Sequence, residues 1–138
     1  MAYKVFIDGQ EGTTGLRIVE RLKDRKDIEL ITIDEELRKD TAERKRLINE
    51  SDYTFLCLPD AAAIESAELC DNPHTKILDA STAHRTAPGW DYGLPELSAE
   101  HRAKIAASKR VAVPGCYASG FNALCYPMVK NGFIAPYH

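Results

Sequence analysis

The chain has 138 residues, which is enough for one domain with a buried core. Its net charge of −3 gives no electrostatic basis for binding nucleic acid or an anionic membrane surface. No apolar run approaches membrane-spanning length, and the opening residues do not resemble a signal peptide. The four cysteines form no C-x-x-C pair, and without a secretory signal an even count does not imply disulfides. We therefore expect a cytoplasmic protein with reduced thiols and no bound metal.

The first predicted element is a strand over residues 3–8, which runs directly into a glycine-rich loop. Apolar residues after the loop recur at helical spacing as far as Leu22. A strand, a glycine turn and a helix in this order are the context of a dinucleotide-binding fingerprint, although the spacing G-x-x-G-x-x-G is one residue longer at its first gap than the commoner form. We expect Gly9 to allow the tight turn and Gly12 to let the backbone approach a pyrophosphate. We expect Gly15 to let the helix pack closely on the strand.

Strands and helices alternate through the rest of the chain. Further strands are predicted over residues 28–33, 53–58, 76–79 and 110–113. Helices are predicted over residues 41–50, 60–70 and 99–107, the first solvated on most sides and the other two capped by Asp60 and Ser98. Repeated β–α units with buried strands indicate a parallel sheet. We therefore predict an α/β fold of Rossmann type, with a doubly wound, mainly parallel sheet, helices on both faces, and one dinucleotide-binding domain over residues 1–138.

Cys116 follows the last predicted strand after a Pro-Gly turn and opens another helical pattern. The apolar positions of that pattern are Tyr117, Phe121, Leu124, Cys125 and Met128. Unpaired N–H groups and the helix dipole favour a thiolate at a helix N-terminus, so Cys116 is a candidate nucleophile. A free cysteine is otherwise usually a buried structural residue, and we assign that role to Cys57, Cys70 and Cys125.

Four loops follow the carboxyl ends of predicted strands, where doubly wound sheets bind their ligands. They are the glycine loop, Leu58-Pro59-Asp60, Asp79-Ala80-Ser81 and Pro114-Gly115-Cys116. We therefore expect the nucleophile and the cofactor loop to share one crevice.

Two signals after the second predicted strand disagree about the cofactor. Asp34 lies about 20 positions after the glycine loop, where a carboxylate accepts a hydrogen bond from the ribose 2′-hydroxyl of NAD. Arg38 and Lys39 follow closely and would suit the 2′-phosphate of NADP, unless they simply form a solvated face. The residues alone leave both cofactors open.

Five blocks of the sequence resemble, in order, those of the N-acetyl-γ-glutamyl-phosphate reductases, and more closely their shorter subtype. The blocks are residues 8–17, 56–60, 79–85, 92–97 and 114–118, which together extend over nearly the whole chain. The blocks Tyr-Gly-Leu-Pro-Glu-Leu and Pro-Gly-Cys-Tyr are much more specific than the glycine loop. The resemblance implies an NADPH-dependent enzyme of arginine biosynthesis with a small acyl-phosphate substrate and with Cys116 as its catalytic nucleophile.

The resemblance also implies a mechanism and a set of binding residues. The thiolate displaces phosphate to form a thioester, which is reduced to a hemithioacetal that collapses to N-acetylglutamate 5-semialdehyde. The family uses NADP, so NADP (NADPH) is the expected cofactor. Its candidate binding residues are Gly9, Gly12, Thr13, Thr14, Gly15, Arg38 and Pro59. Ser81 and Arg85 are candidates for binding phosphate, with a turn-closing serine and a solvated arginine as the alternative.

Members of that family continue into a second α/β domain, which supplies a catalytic histidine, substrate contacts and most of the oligomer interface. None of the four histidines of this chain matches the catalytic one: His74, His84, His101 and His138. We therefore interpret the chain as the cofactor domain of a longer, homo-oligomeric enzyme or as a truncated product, and we expect it to be close to inactive alone.

Two alternatives remain open. An acyl-phosphate reductase of the aspartate-semialdehyde dehydrogenase type would share the sheet, the cysteine and the chemistry, but its cysteine motif resembles Asn-Cys rather than Pro-Gly-Cys-Tyr. A non-catalytic NADP-binding module would share the fold alone.

Overall fold

The computed structural model describes residues 1–135 and contains six strands and five α-helices in that range. The strands are β1 (Tyr3–Asp8), β2 (Ile28–Ile31), β3 (Tyr53–Leu56), β4 (Lys76–Asp79), β5 (Asp91–Tyr92) and β6 (Arg110–Ala112). The helices are α1 (Thr13–Leu22), α2 (Thr41–Glu50), α3 (Asp60–Glu68), α4 (Ala99–Ala107) and α5 (Cys116–Lys130). Single 3₁₀ turns lie at Glu35–Leu37 and Pro95–Leu97.

The strands form one sheet in the order β2-β1-β3-β4-β6-β5, and every neighbouring pair is parallel. The chain leaves β1 toward β2 on one side and later continues through β3 and β4 on the other. The topological switch point therefore lies beside the carboxyl end of β1, where the glycine loop begins. The predicted α/β Rossmann-type sheet is confirmed.

Alternating side chains of β1 pack against helices on opposite faces of the sheet. Phe6 is fully buried in one cluster with Leu47 and Ile48 of α2. Ile7 points to the other face, where it lines a cavity together with residues of α1. The prediction of helices on both faces is therefore confirmed.

Three strands end earlier than predicted: β2 at Ile31, β3 at Leu56 and β6 at Ala112. Ile33 and Leu58 lie beyond the ends of β2 and β3, and both line a cavity of about 370 Å³ at the carboxyl edge. Strand β5 was not predicted, since two residues are too short to show a period.

Of the two helix caps predicted from the sequence, the structure contains one and lacks the other. Ser98 caps α4 by accepting a hydrogen bond from the His101 N–H at 3.2 Å, as predicted. The cap predicted for Asp60 is wrong, because Pro59 holds the N-cap position of α3. The Asp60 carboxylate instead accepts hydrogen bonds from the N–H and the hydroxyl of Thr82, at 2.9 and 2.5 Å. Within the described residues, no helix has the length and apolar character needed to cross a membrane.

Candidate functional site

The glycine loop between β1 and α1 is built around two positions that no side chain can occupy. Gly9 has φ +85°, and a Cβ there would lie 2.4 Å from the carbonyl oxygen of Cys57. A Cβ at Gly15 would lie 2.4 Å from the carbonyl oxygen of Gly9, so α1 begins in direct contact with the loop. These are the turn and packing roles predicted for the two glycines.

Gly12 differs from the other two glycines, since a Cβ there would approach no described atom closer than 3.5 Å. Gly12 is the N-cap of α1, whose first residues, Thr13 and Thr14, are exposed, and no side chain caps their helix. First-turn N–H groups of a helix lack intrahelical partners, so this turn presents donors to an anion.

A cavity of about 370 Å³ lies beside the glycine loop, between the ends of β2 and β3. Gly9, Glu11, Arg38 and Lys39 are among the residues that line it, whereas Asp34 is not. The basic residues after β2 that would suit a 2′-phosphate therefore face the cavity, and the aspartate that would suit a ribose hydroxyl does not. Pro59 is exposed and does not line the cavity; its neighbour Leu58 does.

Arg38 is not free at the mouth of this cavity, because its guanidinium forms an ion pair with the Glu11 carboxylate. The two side chains are 45% and 48% exposed, so water competes for both partners. The pair joins the glycine loop to the segment after β2, which are 27 residues apart in sequence. Sequence reasoning missed Glu11, which has no role in a glycine fingerprint.

Asp8 and Arg44, which line this cavity, form a buried polar cluster with Ser66. Arg44 donates to Asp8 Oδ2 from Nη2 at 3.0 Å and from Nε at 3.2 Å, and its side chain is 9% exposed. The Ser66 hydroxyl also donates to that oxygen. Helix α2 was predicted to be solvated on most sides, but Arg44, Leu47 and Ile48 are buried, a spacing of i, i+3 and i+4 that the sequence displays.

Cys57 follows β3, which lies in the sheet between β1, the strand before the glycine loop, and β6, the strand before Cys116. Burial raises the pKa of its thiol to about 11, and the negative charges of Asp79 and Asp8 act in the same direction. The thiol therefore stays protonated at neutral pH, which agrees with the structural role predicted for it.

Cys116 is the first residue of α5, with Gly115 as the N-cap, and its side chain is exposed. The Arg85 guanidinium rests on the turn that precedes it. Arg85 Nε donates to the Val113 carbonyl at 3.2 Å, and a Cβ at Gly115 would lie 2.8 Å from Arg85 Nη1. The fold thus places Arg85, a predicted site residue, against the turn that leads into Cys116.

Ser81 is buried and its polar atoms already have partners. Its hydroxyl donates to Asp79 Oδ2 at 2.7 Å, and its N–H donates to Asp79 Oδ1 at 2.9 Å. This is the turn-closing arrangement given above as the alternative to phosphate binding.

His84 contacts the same Asp79 carboxylate that accepts the hydrogen bond from Ser81. Its Nδ1 lies 2.5 Å from Asp79 Oδ2, and its ring stacks on Trp90 with centroids 3.9 Å apart. These contacts fix the position of His84, the neighbour of Arg85, and both residues belong to the block 79–85. His101 has a local role, since its ring contacts the capping hydroxyl of Ser98 at 2.8 Å. His138 lies outside the described residues.

The Tyr-Gly-Leu-Pro-Glu-Leu block, residues 92–97, lies against the cysteine helix. The side-chain amide of Asn122 on α5 donates to the Tyr92 hydroxyl at 3.1 Å. Leu94 and Leu97 share a small cavity with Tyr126 of α5. The block therefore helps to set the position of the helix that carries Cys116.

The glycine loop and Cys116 lie at the same edge of the sheet, because all six strands are parallel. They follow β1 and β6, with β3 and β4 between them. Cys116 does not line the cavity beside the glycine loop, so the two parts share an edge but not one cavity. Among residues 1–135, no group of three or more His, Cys, Asp or Glu side chains could hold a metal.

Residues 4–105 match the family described as semialdehyde dehydrogenase, NAD binding domain. Two similar curated proteins are N-acetyl-gamma-glutamyl-phosphate reductase 2 of Pseudomonas putida, 52% identical over 94% of this chain, and the protein of the same name from a Nostoc species, 51% identical over 95%. The chain spans only 42% and 41% of their respective lengths.

Similar solved structures include aspartate semialdehyde dehydrogenase from Francisella tularensis, with a TM-score of 0.68 at 16% identity, over 95% of this chain and 41% of that one. Another is the aspartate semialdehyde dehydrogenase from Candida albicans with NADP, with a TM-score of 0.67 at 15% identity, over 95% and 48%. At this level of identity the likeness concerns the fold alone.

Proposed function

Because the chain belongs to the semialdehyde dehydrogenase family, in its NAD-binding domain, we propose that it is the cofactor-binding and nucleophile-bearing part of an NADPH-dependent N-acetyl-γ-glutamyl-phosphate reductase. The observation that carries this proposal is Cys116, exposed at the first position of α5, at the same edge of the sheet as the glycine loop. The 52% identity with a reductase of that name supports the choice of substrate. The protein acts in the cytoplasm, as a homo-oligomer with the remainder of such an enzyme.

In the proposed reaction, the Cys116 thiolate attacks the acyl carbon of the acyl phosphate. A C–S bond forms, the C–O bond to the phosphoryl group breaks, and phosphate leaves with the electron pair. NADPH, when bound, supplies the hydride that reduces the thioester. Collapse of the hemithioacetal then restores the thiol and releases the semialdehyde, which requires a proton donor and acceptor.

The proposed role of Arg85 is to bind the leaving phosphate. Its guanidinium already lies against the turn before Cys116, and a guanidinium binds phosphate through two parallel hydrogen bonds. Ser81 is a weaker candidate, since its hydroxyl must first release Asp79. The hydrogen bonds from Thr82 hold the pKa of the nearby Asp60 carboxyl low, and the positive charge of Arg85 acts in the same direction.

The residues around the cavity fit a phosphorylated dinucleotide. The first turn of α1 suits a pyrophosphate, and Gly12 leaves room for it. Arg38 and Lys39 line the cavity where a 2′-phosphate would be recognised, while Asp34 does not. We therefore propose NADP rather than NAD as the cofactor.

The test is a chimera in which this chain replaces the matching 130 residues of the Pseudomonas putida relative. The reverse reaction, NADP reduction with N-acetylglutamate semialdehyde and phosphate, should proceed in the chimera. Cys116→Ser should lower turnover by at least about 10³-fold, because no other nucleophile replaces the thiolate. The chain alone should be slower by at least about 10²–10⁴-fold, since general acid–base catalysis is lost.

Other outcomes favour the alternatives. Turnover of aspartate semialdehyde in place of the N-acetylated substrate would favour the aspartate-semialdehyde type. Tight NADPH binding by this chain, with a folded but inactive chimera, would favour a non-catalytic module. Comparable turnover by the chain alone would show that residues 1–138 contain a base, and His84 would be the first to examine.

A further inference from the structure

The ion pair between Glu11 and Arg38 places a negative charge where the proposed cofactor brings another. Both residues line the cavity beside the glycine loop. Arg38 is the residue proposed above to recognise a 2′-phosphate, and in this structure its guanidinium is bound by the Glu11 carboxylate. A phosphate that binds Arg38 must therefore displace this carboxylate or lie beside it.

We propose that Glu11 is a specificity-determining residue, a competing counter-ion that weakens recognition of the 2′-phosphate by Arg38. The inference rests on the proposed NADP-binding function and adds a residue that the glycine fingerprint does not contain. A carboxylate and a phosphate are both acceptors for the same forked guanidinium, so the two interactions exclude each other on that face.

The pair is well suited to such competition because neither partner is locked in place. Each side chain is nearly half exposed, and exposed ion pairs are worth little because water and salt screen them. A 2′-phosphate carries more negative charge than a carboxylate, so it displaces Glu11 from Arg38 at a small cost in free energy. The contrast is with Arg44, which also lines the cavity but is held by three buried hydrogen bonds to Asp8 and Ser66.

The consequence is a selective effect on nucleotides that carry a 2′-phosphate. Removal of the Glu11 charge frees Arg38 in advance, which favours adenosine 2′,5′-bisphosphate and NADP. The same change leaves 5′-AMP and NAD nearly unaffected, because they have no group for Arg38 to bind. Glu11 thus sets the affinity gap between the two cofactors from the side of the glycine loop.

The experiment is calorimetric titration of this chain with adenosine 2′,5′-bisphosphate and with 5′-AMP, two probes that differ only in the 2′-phosphate. Glu11→Gln should tighten the bisphosphate by about two- to fivefold, the range expected for one exposed ion pair, with 5′-AMP unchanged. Glu36→Gln is the matched control, since Glu36 lies close to Arg38 in sequence, is exposed and does not line the cavity. It should change neither affinity.

A double-mutant cycle supplies the decisive comparison. Arg38→Ala should weaken the bisphosphate, and in that background Glu11→Gln should have no further selective effect. If Glu11→Gln tightens the binding of both probes equally, the inference is overturned, because Glu11 then acts on the whole nucleotide. If Glu11→Gln weakens bisphosphate binding, the inference is also overturned, because Glu11 then holds Arg38 in place for the phosphate. If Arg38→Ala leaves the bisphosphate unchanged, the inference fails while cofactor binding stands. If the wild-type chain, shown folded by its circular dichroism, binds neither probe, the proposed function itself fails.

Discussion

The two ends of the site are held in position in different ways. At the glycine-loop end, Asp8 is 4% exposed, and Gly9 and Gly15 have no room for a side chain. At the cysteine end, none of the 15 residues of α5 is buried, and two of its apolar side chains, Phe121 and Leu124, are 65% and 72% exposed. The cofactor end is therefore positioned by the core of the sheet, and the cysteine end by a small number of polar contacts.

The same contrast appears on the two faces of the sheet. Thr54 and Leu56 of β3 are buried on one face, whereas Tyr53 and Phe55 on the other face are only partly buried. Strand β4 repeats the pattern. Residues 1–135 thus complete one face of the sheet and leave the other face and α5 partly open to water.

The strongest test compares one truncated side chain from each region. Ile48→Ala on α2 removes a fully buried side chain and should lower the free energy of unfolding by about 2–5 kcal/mol. Leu124→Ala on α5 removes an exposed side chain of the same size and should change it by less than about 0.5 kcal/mol. Urea denaturation of both variants measures the difference. A loss of several kcal/mol at Leu124 would show that α5 is packed in solution.

A second test uses the thiols. With its pKa raised to about 11, Cys57 has a thiolate fraction of only about 10⁻³ at pH 8. Exposed Cys116 should therefore react with iodoacetamide at least about 100-fold faster, as followed by mass-spectrometric mapping. The labelling rate of Cys57 should rise about tenfold per pH unit up to its pKa, because only the thiolate reacts. Equal labelling of the two thiols at pH 8 would contradict the assigned roles.

A third test compares one glycine from each region. Gly9→Ala imposes a left-handed backbone on a side chain and should cost about 1–3 kcal/mol from conformation alone, besides its contact with Cys57. Gly120→Ala is the counterpart on α5, where a Cβ meets no described atom within 4 Å. It should stabilise the helix by about 0.5–1 kcal/mol. Thermal unfolding of both variants measures these changes, and a destabilising Gly120→Ala would mean that a neighbour covers this face.

The sequence was sufficient for the features that depend on neighbours along the chain. The strand–glycine–helix unit, the position of Cys116 and the parallel sheet all follow from local patterns, and the structure contains them. The cap at Ser98 also follows from its local spacing. The cap predicted for Asp60 is wrong because Pro59 holds the N-cap position, and the carboxylate binds the distant Thr82 instead.

What the sequence did not reveal depends on contacts between distant segments. Arg44 reaches Asp8 across 36 positions, and Glu11 reaches Arg38 across 27. A charged residue in a charged helix looks solvated until the fold supplies its partner. Arg38 and Lys39 line the cavity whereas Asp34 does not, and this too depends on the irregular loop after β2, which has no sequence period.

The strand order has a further consequence for the size of the ligand that can join the two parts of the site. Three strand spacings separate β1 from β6, and neighbouring strands lie about 4.8 Å apart, so the glycine loop and the start of α5 are about 14 Å apart along the edge. A single nucleotide held at the loop is too short to bring a reactive group to Cys116. An extended dinucleotide, with its second ring directed along the edge, has the required length. For the proposed reductase, the strand order therefore favours a cofactor of this span, before any side chain recognises a functional group.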